Sequence, residues 1–223
     1  MPNRTPPIHP LQLMGVAGAF LQAGRLDGAV LVLLAYHACL RTGEALNAAT
    51  NHVTWSKPGR RGVLALPLTK SGQRSGVPEA VTIFDPLVAA LLFCLLESLP
   101  VGVALWRGTA QEFRDQFRAH LILLGIDASM FKPYCLRRGG ATAHYIEHHD
   151  ILATQHRGRW NSMKACRLYV VEGQRELAEA GITEHVRAAC LQCAAELRRY
   201  VVPLVHRLFD LRTARAFFAA LEA

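Results

Sequence analysis

The 223 residues predict a mainly helical domain carrying one small three-stranded antiparallel sheet. Three observations lead there. Apolar residues recur at helical spacing over most of the chain. Residues 51–84 switch to short β-type runs broken by Gly, Pro and Ser. No internal repeat, low-complexity tract or convincing linker divides the sequence, so one domain accounts for it.

The elements follow in order. Residues 1–10 contain four prolines and are expected as an extended leader, with a single domain over 11–223. The run "HPLQLMGVAGAFLQAG" makes a first helix that Gly24 stops, and "RLDGAVLVLLAYHACL" a second, strongly buried one. Three strands follow in "HVTW", "GVLALPL" and "AVTIF", separated by "SKPGRRG" and "KSGQRSGVPE". Asp85-Pro86 opens the next helix, with "LVAALLFCLLESL" as its body. In "TAQEFRDQFRAHLILLGI", Phe113, Phe117 and Leu121 share a face. "LRRGGATAHYIEHHDILATQH" reads as a helix pair, then 173–199 and 204–222 as two amphipathic helices. Leu204, Leu208, Leu211, Phe218 and Leu221 mark the buried stripe of the last.

Composition narrows the function classes. Hydrophobic residues make up 51% and charged residues 19%, which excludes a disordered chain. Lys and Arg number 25 against 17 Asp and Glu, a net +8 that suits a polyanionic partner. The most apolar segments, near 29–40 and 86–96, fall short of the ~20 residues a membrane span needs. The six cysteines form no regular framework, and the N-terminus lacks the pattern of a secretory signal, so a reducing intracellular compartment is expected.

Chemistry-bearing residues stand in an ordered set. Arg41 lies in "ACLRTGEAL" with Glu44 three residues on, hence on the same helical face. Lys70 lies in "PLTKSGQ", at the tip between two expected strands, and Arg137 in "YCLRRGGATAHY", at a helix start. Trp160 and Tyr169 close the set in "RGRWNSMKACRLYV". Taken alone, each is more often packing or a solvated charge. The joint order is far more specific.

That order resembles the catalytic domain of the tyrosine recombinases, the phage-integrase family, over roughly residues 10–175. "LRTGEAL" resembles the family's first-arginine box, "YCLRRGGATA" its second, and "GRWNSMKACRLY" its closing box. The resemblance implies that Arg41 and Arg137 clamp a scissile phosphate, that Lys70 is the general acid and that Trp160 contacts or buttresses the phosphate. Tyr169 is then the nucleophile, with Glu44 orienting the cations. The chemistry suits those types. Guanidinium forks hold the equatorial oxygens of the transition state, a tyrosine oxygen attacks phosphorus, and a lysine protonates the leaving 5′-oxygen. The implied activity is site-specific DNA recombination or integration through a 3′-phosphotyrosyl intermediate, with no cofactor and no metal. The implied partner is double-stranded DNA, bound by a homo-oligomer, in a nucleus or in a prokaryotic cytoplasm or nucleoid. Integration, excision and resolution share this chemistry. Arg41, Lys70, Arg137, Trp160 and Tyr169 should converge in one basic cleft.

Two departures from the family pattern stand out. Tyr134 occupies the place of the usual His in His-x-x-Arg, and a phenol with an ordinary pKa near ~10 is a poorer base. Only about forty residues precede Arg41, too few for the family's core-binding domain. The expectation is therefore a solo catalytic domain, a fragment or a degenerate mobile-element product.

Other signals are weaker. Lys57, Arg60, Arg61, Arg74, Arg138, Arg157 and Arg159 are candidates for DNA phosphate contacts. A non-catalytic DNA-binding relic is the alternative function. His144 to His148 fit an H-x-x-E-H zinc-hydrolase pattern without an evident third ligand. Cys190-x-x-Cys193 reads as core or interface thiols. The C-terminal helices pack on their own domain or dock on a partner subunit.

Overall fold

The computed structural model describes residues 5–57, 60–67 and 78–208. Helix α1 (Pro10–Gln22) starts where Pro10 supplies a helical φ and His9 caps it. The His9 imidazole accepts from the Leu11 N–H, and Gln12 Oε1 accepts from the His9 N–H in return. Ahead of it, Ile8 is buried and Thr5 Oγ1 donates to the Met130 carbonyl, so residues 5–9 lie against the body.

Helix α2 (Leu26–His37) is apolar all round, which demands an interior position. Residues 28–35 are all buried, with α1 on one side and the later helices α4 (Pro86–Glu97) and α6 (Cys135–His148) on others. A five-residue helix, α3 (Thr42–Leu46), and a single 3₁₀ turn lead into the sheet.

Strands β1 (Val53–Lys57), β2 (Arg61–Leu66) and β3 (Glu79–Ile83) pair antiparallel in chain order, with Val53 opposite Leu64 and Leu64 opposite Val81. β2 alternates strictly, burying Gly62, Leu64 and Leu66. Gly62 is required there, because a Cβ would come within 2.7 Å of the Trp55 ring. Trp55 in turn meets Phe93 of α4 edge-on at 5.9 Å.

Asp85 caps α4 through the Val88 N–H at 2.9 Å. Helix α5 (Ala110–Leu123) opens on a Thr109/Glu112 capping box and buries Phe113, Phe117 and Leu121 as their spacing predicts. Helix α6 and helix α7 (Ile151–Gly158) are the expected pair, and a short α8 (Met163–Arg167) follows.

The C-terminal helices differ from expectation. The run 173–199 divides into α9 (Glu172–Ala180) and α10 (Glu184–Leu208), because Gly181 ends one helix and Thr183 Oγ1 accepts from the Val186 N–H at the start of the next. The expected break before residue 204 does not occur. α10 continues through Pro203, since Val201 and Leu204 extend a buried stripe of Ile182, Val186, Cys190, Cys193 and Leu197. That stripe packs on α1 of the same chain. Leu211, Phe218 and Leu221 lie outside the described residues. No helix among the described residues is long and apolar enough to cross a membrane.

Candidate active site

The site begins where α2 ends. Cys39 adopts the left-handed region (φ 47°), which is uncommon for a residue with a Cβ and turns its carbonyl inward. Arg41 then precedes α3, and its backbone N–H donates to Glu44 Oε2 at 2.8 Å. The Arg41 guanidinium reaches the other oxygen of the same carboxylate at 2.5 Å and keeps part of its fork toward solvent.

Arg137 arrives from the first turn of α6. Two glycines let that helix approach α2: a Cβ on Gly140 would lie 2.0 Å from the Tyr36 carbonyl, and one on Gly139 would meet Ile8 and Tyr36 at 2.7 Å. The guanidinium is fully buried. It donates to the Cys39 carbonyl, and to the Gly158 carbonyl at 2.6 Å. Glu44 Oε2 lies 3.9 Å away. Arg41 and Arg137 thus share one carboxylate.

The "RGRW" run supplies the cover. A Cβ on Gly158 would fall 1.8 Å from the Trp160 ring, so only glycine lets the indole fold back there. Arg159 takes the left-handed region (φ 56°) after α7 and donates to Glu44 at 2.5 Å and Glu79 at 3.1 Å. The Trp160 ring lies 4.6 Å from Arg137 Cζ, a cation–π contact. Ser162 caps α8, and Tyr169 emerges just beyond that helix. Its ring lies 4.6 Å from that of Trp160 and 5.5 Å from Arg137 Cζ. Its hydroxyl is hydrogen-bonded to the hydroxyl of Tyr134, the residue just before α6.

No family model and no curated protein matches the chain in sequence. Solved structures match its fold. The post-cleavage complex of the XerH site-specific recombinase with palindromic difH substrate is 17% identical at a TM-score of 0.61, over 80% of this chain and 53% of that one. XerA recombinase is 15% identical at 0.62, over 82% and 68%. The fold is that of a tyrosine recombinase catalytic domain. The chain spans about half the length of the XerH structures, 53% and 55%.

Within this recombinase fold, three guanidinium groups (Arg41, Arg137, Arg159) face two carboxylates, Glu44 and Glu79. One positive charge is left over, a favourable setting for an anion. Among the described residues, Arg137 Nε and Trp160 Nε1 are buried with no hydrogen-bond partner. Two donors beside a surplus charge suit an oxyanion. Burial, then the charges of Arg159 and Arg41, push the Arg137 guanidinium down, although a guanidinium keeps its proton in proteins.

The two phenols diverge. Burial and the hydrogen bond with Tyr169 push Tyr134 up to about 12. Burial also acts to raise Tyr169, but the Tyr134 hydroxyl, the nearby Trp160 indole and the charges of Arg137 and Arg41 outweigh it and leave the phenol below its ordinary value.

The remaining cations divide. Arg157 donates to the carbonyls of His37 and Thr82, and Arg159 to Glu44 and Glu79, so the donors expected to face DNA brace the interior instead. Arg138 is likewise buried, 4% exposed. Lys57 and Arg61 are exposed and face each other at the end of the β1–β2 pair where the chain passes from one strand to the next, and Arg60 is partly buried between them. Lys70 and Arg74 lie outside the described residues. On α6, His144 Nδ1 meets Thr154 Oγ1 at 2.9 Å, and its ring stacks edge-on to His148 at 4.4 Å. No group of three or more metal-ligating side chains occurs among the described residues.

Sequence reasoning missed Thr142. Fully buried on α6, its hydroxyl donates to the Tyr169 carbonyl at 3.0 Å and accepts from the Val171 N–H at 3.3 Å. It holds the backbone as the chain leaves the candidate nucleophile, from the Tyr169 carbonyl to the Val171 N–H. A threonine amid "GGATA" gives no sign of this, because its partners lie 27 and 29 residues away.

Proposed function

We propose that this domain cuts and rejoins duplex DNA, Tyr169 attacking phosphorus to form a 3′-phosphotyrosyl link. One observation carries the reading. Arg41, Glu44, Tyr134, Arg137, Trp160 and Tyr169, spread over 129 positions of sequence, form one connected cluster inside a recombinase fold. In the step, the Tyr169 oxygen bonds to phosphorus as the bond from phosphorus to the 5′-oxygen breaks. Arg41 and Arg137 stabilise the equatorial oxygens, the unpartnered Arg137 Nε and Trp160 Nε1 donate to the phosphate, and Lys70 protonates the departing 5′-oxygen. The energy of the broken bond stays in the phosphotyrosine, so a strand's hydroxyl reverses the step without ATP.

The DNA-bound state of the XerH structures supports duplex DNA as the partner. The test is incubation with a nicked suicide duplex. The wild type should give an SDS-stable, protease-sensitive adduct that Tyr169→Phe abolishes. DNA binding without adduct from the wild type would sink the proposal in favour of a non-catalytic relic.

A further inference from the structure

We propose that Tyr134 is a catalytic hydrogen-bond donor to the reacting oxygen of Tyr169, holding that oxygen as a phenolate without taking its proton. The inference rests on the strand-transfer reading and adds a role for the residue that departs from the family pattern. A tyrosine in a histidine's place looks like the loss of a base. The geometry points to a different kind of assistance.

The two hydroxyls are bonded to each other, with ring centroids 5.8 Å apart and planes tilted by 59°. Both partners are held by backbone. Tyr134 immediately precedes the first turn of α6, and Thr142 of that same helix fixes the chain from the Tyr169 carbonyl to the Val171 N–H. One helix therefore sets both ends of the contact.

In a pair of phenols one oxygen donates and the other accepts, and the surroundings decide which. Arg137 of α6 lies over the Tyr169 ring, its Cζ 5.5 Å from the centroid, while the charges of Arg137 and Arg41 act on both phenols. Glu44 and Arg159 stand behind those two cations, and the Cys39 and Cys166 thiols are buried in the same small cluster. The guanidinium stacked over its ring thus favours the anion on Tyr169. Tyr134, pushed upward, keeps its proton and presents it. To act as a base it would first have to be a phenolate, the rarer state.

The step balances with solvent water as proton acceptor. The Tyr169 hydroxyl gives its proton to water, the phenolate electron pair forms the oxygen–phosphorus bond, and the bond to the 5′-oxygen breaks, that oxygen keeping the electron pair and taking a proton as above. Tyr134 begins and ends neutral.

The first test is independent of DNA. With tyrosines carbon-13 labelled at Cζ, the pH titrations of wild type, Tyr134→Phe and Tyr169→Phe assign each phenol. Tyr169 should titrate below an ordinary phenol. Its proton affinity should rise about tenfold in Tyr134→Phe. Tyr134 should titrate at lower pH in Tyr169→Phe than in the wild type. An unchanged Tyr169 midpoint in Tyr134→Phe, or Tyr134 ionising first, overturns the proposal. With saturating suicide DNA, the acid limb of the adduct rate should move to higher pH in Tyr134→Phe at unchanged DNA affinity, and an unmoved limb overturns it. An adduct mapped to Tyr134 by peptide mass also overturns it. If the wild type forms no adduct at any pH, the strand-transfer reading falls, and the Cζ titration still decides the bond.

Discussion

Arg137 is the largest fully buried side chain among the described residues, and it is charged. An ion in that position survives only with close compensation. Two carbonyls, a carboxylate and two aromatic faces provide it. Arg137→Lys retains the charge but has no fork to reach both carbonyls. It should lower unfolding stability by about 1–3 kcal/mol in urea and adduct formation by about 100-fold or more. Thr142→Val keeps the shape and removes the hydroxyl. Adduct formation should fall while DNA affinity is retained, because the substitution frees the backbone of Tyr169 and touches no cation. Much of this site was readable in the sequence, since Arg41, Arg137, Trp160 and Tyr169 are of the types phosphate chemistry needs. The sequence offers Arg159 only as a DNA-contact candidate, because its carboxylate partners lie 115 and 80 residues away, beyond the reach of any local pattern.

At the scale of elements, long periodic helices were legible and short ones were not. α3 and α8 have five residues each, little more than one turn, so no apolar periodicity can develop. Both are held by their caps and by the site they border. The break expected before residue 204 fails in the other direction, because α10 runs through Pro203 and the packing of Val201 and Leu204 outweighs the local cost of a proline. The contact between α1 and α10 is built on small residues. A Cβ on Gly18 would stand 1.9 Å from the Cys193 carbonyl, and one on Gly15 would touch Cys190 at 2.9 Å. Gly18→Ala must push α10 away from α1. It should cost about 1–3 kcal/mol and weaken amide-exchange protection along α10 more than in the sheet.

For the whole molecule, Asp27 ties two distant stretches together. Its carboxylate accepts from the Arg25 guanidinium, the Gly28 N–H and the Arg107 N–H. Burial acts to raise its pKa, but these donors prevail and hold it below the ordinary carboxylate value. A depressed folded value means stability that is fully present above the unfolded value of about 3.9. It is lost as the pH falls below that and through the folded value. Asp27→Asn should therefore lower the melting temperature at neutral pH and flatten its decline below about pH 4. The stacking of Trp160 on Tyr169 and Arg137 also has an optical consequence. The chain has three tryptophans, and Trp55 and Trp106 lie elsewhere, against Gly62 and Arg25. With those two replaced by phenylalanine, the remaining indole becomes a single emitter in van der Waals reach of a guanidinium and a phenol. Its fluorescence then reads out, in real time and without a label, the moment a phosphate or a covalent bond draws either neighbour away.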